Sequence, residues 1–432
     1  MMAYQIGSDD IRKVASSIGV KMVETEVEDY YTIRKEMTSV FDRLLKMPEY
    51  HLPVDAGRFP RRNVHLPSAQ ENVLGVAWAH SFSVGGGNTN PTGLLAGKTL
   101  CLKDNICVAG VPQVNGTAII SPWTPESDAT LVTRILEAGG EIIGTATCEN
   151  MSYSAASNTS AAGTIHNPYA PGYSAGGSSS GVGALVGSPE GLCAMGIGAD
   201  QGGSIRIPAA MCGAVGLKPT HGLVPYTGVV SSEAIMDHVG PICKNVMDTA
   251  ILLEAIAGRD GLDDRAVGAQ RHGEIKYSTN LMSWFEASMK AHGSLSKILT
   301  GMKIGILKEG MEHPAVHPEM RKKVYSSAYK LRELGAEVTE ISMPAHVAGS
   351  DIWMGVRRLG GAVTLSGKAV GRKQYTLTSF LSKLLPMTQD KWENTPPAVK
   401  STILNGNDAL EKYPSLYHKC LNLAIQRKMN KS

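Results

Sequence analysis

The stretch from Gly172 to Pro208 constrains the fold of this chain more than any other. It reads G-Y-S-A-G-G-S-S-S-G-V-G-A-L-V-G-S-P-E-G-L-C-A-M-G-I-G-A-D-Q-G-G-S-I-R-I-P, and 11 of the 33 positions from Gly172 to Ser204 are glycine, against 47 in 432 overall. Glycine at that density marks tight turns and close backbone approaches that a Cβ would block. A flexible linker would be Gly and Ser without apolar residues. Here Ala184, Leu185, Val186, Leu192, Met195, Ile197, Ile205 and Ile207 give the segment something to bury. The serines of G-G-S-S-S-G and D-Q-G-G-S are therefore expected in ordered loops.

At 432 residues, 43% hydrophobic and 19% charged, the chain can build two or three domains or one large α/β unit. Its formal charge of +3 contains no long block of one sign. That excludes a disordered chain and offers no nucleic-acid surface, so a small molecule is the expected partner. Seven cysteines (Cys101, Cys107, Cys148, Cys193, Cys212, Cys243, Cys420) are an odd set without CxxC spacing. They argue against a disulfide framework and a zinc knuckle. The twelve histidines lack ligand spacing, and no metal site is expected. The start, M-M-A-Y-Q-I-G-S-D-D, has no basic-then-apolar leader, and no stretch reaches about 18 apolar residues. The expectation is a soluble cytoplasmic protein with no membrane association.

Along the chain, Ser8-Asp9-Asp10 is placed to cap a short helix. Tyr30, Ile33, Met37, Phe41, Leu44 and Leu45 recur at helical spacing in a second, expected to pack outside the main domain. Pro53, Pro60, Pro67, Gly85 to Gly87 and Pro91 predict irregular wrapping with room for one short strand. A strand and helix rhythm follows. Residues 98–103 form an apolar run that puts Lys103 at the mouth of a strand, 128–138 an amphipathic helix stopped by Gly139-Gly140, and 141–144 another strand. Strands are further expected over 212–219, 302–307 and 337–341, and helices over 246–257, 318–334, 377–385 and 416–429. A large mixed, mostly parallel α/β sheet with helices on both faces is the expected architecture.

Lys103, Ser178 and Ser204 fit one chemistry. A serine hydroxyl is a weak nucleophile and needs a base; where no histidine is in place, a desolvated neutral lysine can serve. Bringing a lysine from about 10.4 to roughly 7–8 takes roughly 3–5 kcal/mol, which burial with few nearby carboxylates supplies. A second serine can bridge base and nucleophile. In D-Q-G-G-S the successive N–H groups of Gln201, Gly202, Gly203 and Ser204 can form an anion-binding nest for a developing oxyanion.

K-D-N at Lys103 to Asn105, G-G-S-S-S-G at Gly176 to Gly181, D-Q-G-G-S-I-R-I-P-A-A at Asp200 to Ala210 and G-L-K-P-T at Gly216 to Thr220 stand in the order found in the amidase signature family. The chain resembles that family from about Leu95 to Gly361. It is especially similar to bacterial amide hydrolases with the D-Q-G-G-S-I-R-I-P variant, continuing G-L-V-P-Y-T-G, D-H-V-G-P-I and I-A-G-R-D-G as here from Gly222 to Gly261. The resemblance implies a Ser-cisSer-Lys triad with Ser204 as acyl-enzyme nucleophile, Ser178 as bridging serine and Lys103 as base. It implies an oxyanion hole of Gln201, Gly202, Gly203 and Ser204, and places Glu149, Met151 and Tyr153 near the acyl pocket. It further implies no metal or organic cofactor and a homodimer. The expected division is an N-terminal helical and wrapping segment over 1–75, the catalytic domain over 76–370 and a basic helical segment over 371–432. Because the match weakens before a basic tail, the resemblance implies a truncated C-terminal part.

Three functions stay open at this point. One is an amidase acting on linear amides; a second is an amidotransferase subunit resembling the A-type component of the glutamyl-tRNA amidotransferase, passing ammonia to a partner. The third is an inactive, shortened homologue. Other readings carry less. G-x-S-x-G centred on Ser179, with Asp237-His238 as partners, lacks the strand, elbow and helix of an α/β-hydrolase. Gly196-Ile197-Gly198 meets Gln201 where a dinucleotide fingerprint needs glycine. Asp200 and Arg206 are expected to form an ion pair that holds the loop.

Overall fold

The helical spacing near the N-terminus yields α1 (Ser8–Ser17) and α2 (Glu24–Lys46) in the computed structural model, which describes residues 7–86, 89–120 and 122–429. Gly7 is the N-cap of α1, and its N–H donates to the Asp10 carboxylate at 2.9 Å. Asp10 thus acts from the first turn, where it also suits the helix dipole. The chain divides after Leu52 into two compact units, and the wrapping segment that follows belongs to the second.

The second unit is built on a mixed seven-stranded sheet. Its strands are β1 (Arg62–His65), β2 (Trp78–Gly85), β3 (Thr99–Lys103), β4 (Glu141–Ala146), β5 (Met195–Asp200), β6 (Val215–Gly216) and β7 (His238–Cys243), in spatial order β1-β2-β4-β3-β5-β7-β6. β3 runs parallel to β4 and β5; the other neighbours pair antiparallel. A separate parallel pair joins β8 (Lys303–Leu307) to β9 (Glu337–Ile341). The helices are α3 (Thr130–Glu137), α4 (Ser180–Gly187), α5 (Arg206–Met211), α6 (Val246–Ile256), α7 (Tyr277–His292), α8 (Lys308–Met311) and α9 (Pro318–Glu333). After them come α10 (Gly349–Leu365), α11 (Thr378–Leu384), α12 (Gln389–Glu393), α13 (Pro397–Lys412) and α14 (Leu416–Met429). The α/β architecture with helices on both faces of a large mixed sheet is therefore present.

Strand period explains the layers. Leu100 and Leu102 face one apolar cluster with Leu131 and Ile135 of α3 and Leu252 and Ile256 of α6. Cys101 faces the other, with Val182 and Leu185 of α4 and Ala209 of α5. In β5, Met195, Ile197 and Ala199 belong to the first cluster, while the intervening glycines make room for α4. A Cβ on Gly196 would sit 2.4 Å from Val182 Cγ1. This is why β5 reads in sequence as a glycine-rich loop instead of a strand. The run expected as a strand over 212–219 forms a strand only at Val215–Gly216, with one further bond from the Leu217 N–H to the Pro241 carbonyl at 3.0 Å, because α5 extends to Met211 and Pro219 closes the segment.

Helix α4 approaches the sheet backbone directly. Gly181 N–H donates to the Thr147 carbonyl at 2.9 Å, and a Cβ there would meet the Ala77 and Thr147 carbonyl oxygens at 2.4 and 2.7 Å. Because both obstacles are backbone, Gly181→Ala should destabilise the protein by about 1–3 kcal/mol. The change is to be read as a lower urea midpoint at unchanged slope.

Candidate active site

Parallel strands β3, β4 and β5 end at the same edge of the sheet, where ligands of open α/β sheets bind. β3 delivers Lys103, β4 leads to Glu149, Met151 and Tyr153, and β5 leads to the loop from Asp200 to Ser204. Two residues beyond Cys101, Lys103 faces the α4 side. Its Nζ donates to Ser178 Oγ at 2.8 Å, and both residues are fully buried. Burial brings the lysine down from 10.5 to about 8, against the opposing pull of Cys148, Asp200, Glu149 and Asp237. Among the described residues no carboxylate lies in ion-pair range of it.

The serine turn is fixed from several sides. The Gly177–Ser178 peptide is cis, and Glu149 N–H donates to the Ser178 carbonyl at 3.1 Å. Ser180 Oγ donates to one Glu149 carboxylate oxygen at 2.8 Å; the Thr159 N–H and hydroxyl occupy the other at 2.7 and 2.6 Å. Burial nevertheless leaves Glu149 above the usual carboxylate range. Ser179 N–H donates to the Ser204 carbonyl at 3.3 Å, which joins the two serine loops. The Ser179 side chain is buried, with Oγ 3.3 Å from the Ala199 oxygen, so it cannot act as the exposed serine of a nucleophile elbow.

Asp200 organises the second loop. Its carboxylate accepts from Gly203 N–H at 2.6 Å, Ile205 N–H at 3.2 Å and both Nε and Nη2 of Arg206 at 2.9 Å. Burial pushes Asp200 up, but these donors outweigh it and hold the pKa below the ordinary value. The Asp200–Arg206 pair expected from sequence is present. Of the four amides expected to form the nest, that of Gly203 is already donated to Asp200, while those of Gly202 and Ser204 have no acceptor among the described residues. Gln201 is held through Nε2, which donates to Asp237 at 2.8 Å and to the Tyr226 hydroxyl at 3.1 Å. Among the described residues no hydrogen bond joins the hydroxyls of Ser178 and Ser204.

Ser204 and Tyr153 line one cleft of about 200 Å³, together with Gln201, Gly202, Trp353, Arg357 and Arg358. Among the described residues two guanidinium groups and no carboxylate line it. Arg357 stacks 3.7 Å from the Tyr153 ring centroid and donates to the Ser232 carbonyl at 3.4 Å. Met151 is not in this cleft. It lines a second, largely apolar cavity of about 130 Å³ with Val230, Leu365 and Phe380. Met151 and Ser152 take φ of 49° and 64°, left-handed values that non-glycine residues seldom adopt. Sequence reasoning missed Trp353, Arg357 and the buttressing role of Asp237. A usable signal was the pair Arg357-Arg358 inside an otherwise apolar run on α10. Among the described residues no cluster of three or more His, Cys, Asp or Glu is placed to hold a metal ion. Among them, too, no helix is long and apolar enough to cross a membrane.

Residues 76–430 match the family model described as amidase. An enantioselective amidase of Rhodococcus rhodochrous is 38% identical over 305 residues, covering 70% of this chain and 54% of that protein. The A-type component of the glutamyl-tRNA(Gln) amidotransferase of Synechococcus sp. (strain CC9605) is 36% identical over 252 residues, 58% of this chain and 48% of that protein. The crystal structure of the corresponding A-type component from Thermotoga maritima matches with a TM-score of 0.57 at 25% identity, over 77% of this chain and 64% of that one. The chain thus spans about half the length of these two curated relatives.

The lysine's burial has a thermodynamic sign. The unfolded chain binds the Lys103 proton near 10.5 and the folded chain near 8, so the unfolded state holds more protons between those values. Wild-type stability is therefore depressed below about pH 8 and recovers as pH rises toward about 10.5. Lys103→Met should be the more stable protein at pH 7, by up to about 3 kcal/mol. Urea unfolding at pH 7 and pH 10 checks this, with the gap expected to close at the higher pH.

Proposed function

The chain belongs to the amidase family, and on that footing we propose that it hydrolyses the C–N bond of a linear carboxamide to a carboxylic acid and ammonia or an amine. In this reading Ser204 attacks the carboxamide carbon while Lys103, acting through Ser178, takes its proton. The oxyanion that forms rests on the free N–H groups of the Gln201 to Ser204 loop, where a single donor is worth about 2.7–4 kcal/mol of transition-state stabilisation. Lys103 and Ser178 return the proton to the leaving amine, and water then hydrolyses the acyl-enzyme. The observation that carries the reading is the fully buried Lys103, lowered to about 8 and joined to Ser178 at 2.8 Å. A lysine in that state is a base near neutral pH. No step calls on a metal or an organic cofactor, and the reaction is assigned to the cytoplasm.

The cleft's charge narrows the substrate. With Arg357 and Arg358 at its wall and no carboxylate among its described lining, it favours an amide that also carries a carboxylate. The relatives named as amidotransferase components support a second reading, in which the released ammonia passes to a partner protein. Turnover by the isolated chain separates the two.

Ammonia release from acetamide, benzamide and phenylacetamide is the direct test. Wild type should release ammonia at a rate that rises through about pH 8 as Lys103 loses its proton, and Ser204→Ala should lose at least about a thousandfold in kcat. Comparable turnover by Ser204→Ala would sink the assignment of the nucleophile. In a second comparison, succinamate should be preferred over butyramide in kcat/KM, and Arg357→Gln should erase the preference by raising KM for succinamate about tenfold or more. Equal selectivity in both proteins refutes the role given to Arg357.

A further inference from the structure

The peptide between Gln201 and Gly202 is held by a side chain from far along the chain. Trp353, on α10, donates its indole N–H to the Gln201 carbonyl oxygen at 2.9 Å across 152 residues of sequence. A Cβ on Gly202 would lie 2.5 Å from Trp353 Cζ2, so the indole rests against the glycine backbone. A trans peptide is planar, and its C=O and N–H point in opposite directions. Fixing the Gln201 oxygen on Trp353 therefore fixes the direction of the Gly202 N–H. That N–H has no acceptor among the described residues, whereas its neighbour on Gly203 is drawn to Asp200.

Trp353 stands on a firmly docked helix. Gly360 lies against Glu233, where a Cβ would be 2.5 Å from Oε1, and Gly361 against the Tyr153 hydroxyl, at 2.6 Å. Arg357, one turn beyond Trp353, stacks on Tyr153. Glu233 also accepts from the Tyr417 hydroxyl of α14 at 2.9 Å, tying the same region to the last described helix. Such close packing leaves the indole little freedom to follow a moving loop.

We propose that Trp353 is a positioning residue for the reaction: it orients the Gly202 N–H as an oxyanion donor, so that α10 contributes to transition-state stabilisation as well as to the cleft wall. The proposal rests on the amide-hydrolase reading for its kinetic consequence and on geometry alone for the tether.

Two full-length variants test it. Trp353→Phe keeps an aromatic ring and loses the N–H; because phenyl fills less space, a second protein carries 3-(benzothien-3-yl)alanine at position 353, which keeps the bicyclic shape without the donor. For each, kcat and KM are measured on an amide that wild type turns over, and hydrogen exchange is followed across residues 200–206. The expected result is a kcat about fivefold to tenfold lower with KM within about twofold, and exchange in that segment at least about threefold faster, with a cooperative melt retained. Wild-type kcat with unchanged exchange overturns the proposal, as does an effect on KM alone. If wild type turns over no amide, the hydrolase reading falls and exchange decides: acceleration confined to 200–206 supports the tether, and none removes it.

Discussion

A lysine with no exposed surface and no carboxylate beside it is the condition on which this architecture depends. Bringing Lys103 down to about 8, where it can give up its proton close to neutral pH, requires that water and acids both be excluded from the end of β3. The sheet does this with apolar residues on both faces of the strand and with α4 laid across it. The nearest acids are occupied elsewhere: Asp200 by Arg206 and two amides, Glu149 by Thr159 and Ser180, Asp237 by Gln201 and Ser231. Each satisfies its own charge or proton locally, and so none neutralises the site as a direct partner of the lysine.

The glycine pattern follows from the same requirement. Ser178 can meet Lys103 only if the turn before α4 comes down close to the sheet, and that descent needs strand positions without side chains. Gly196 and Gly198 supply them: a Cβ at 198 would lie 2.8 Å from Ser179 Oγ and one at 196 would strike Val182. Gly181 lets the helix itself touch the neighbouring strand ends. What looks in the sequence like a run of permissive loop is thus a strand, a turn and a helix packed at very short distances. The loop after β5 then inherits its place from β5, and its shape from the Asp200 carboxylate inside and Trp353 outside.

The far part of the chain has a larger share in the site than its weak periodicity suggests. Helix α10 gives the cleft Trp353, Arg357 and Arg358, and α13 adds Thr402, which accepts from Arg358 at 2.7 Å. These helices pack through small residues, as where a Cβ on Gly406 would meet Ala362 at 2.4 Å. Helix α10 buries Arg357, Gly360, Gly361 and Ala362 and α13 buries Gly406, residues that a search for large apolar side chains passes over, and so neither helix was legible before the structure. Helices α3, α6 and α9 were, because clear signals bound them: Gly139-Gly140 after α3, Gly258 after α6, and Pro318 at the start of α9 with Gly335 after its end.

Local spacing was enough to place the residues that gather at the sheet edge. Motif order placed Lys103 at a strand end, Ser178 in a glycine turn and Ser204 after D-Q-G-G-S, and each of these is legible from a few neighbouring residues. The β3–α3–β4 crossover and the Asp200–Arg206 pair were legible in the same way, both formed between near neighbours. Other outcomes emerged only from the assembled fold: which loop amides stay free, that Tyr153 enters the cleft with Ser204 while Met151 lines another cavity, and that Trp353 holds Gln201. Contact range accounts for most of the difference. Met151 is held by Ser232 from 81 residues away and Gln201 by Trp353 from 152, contacts made only when β5, the Ser232 loop and α10 close around the same edge.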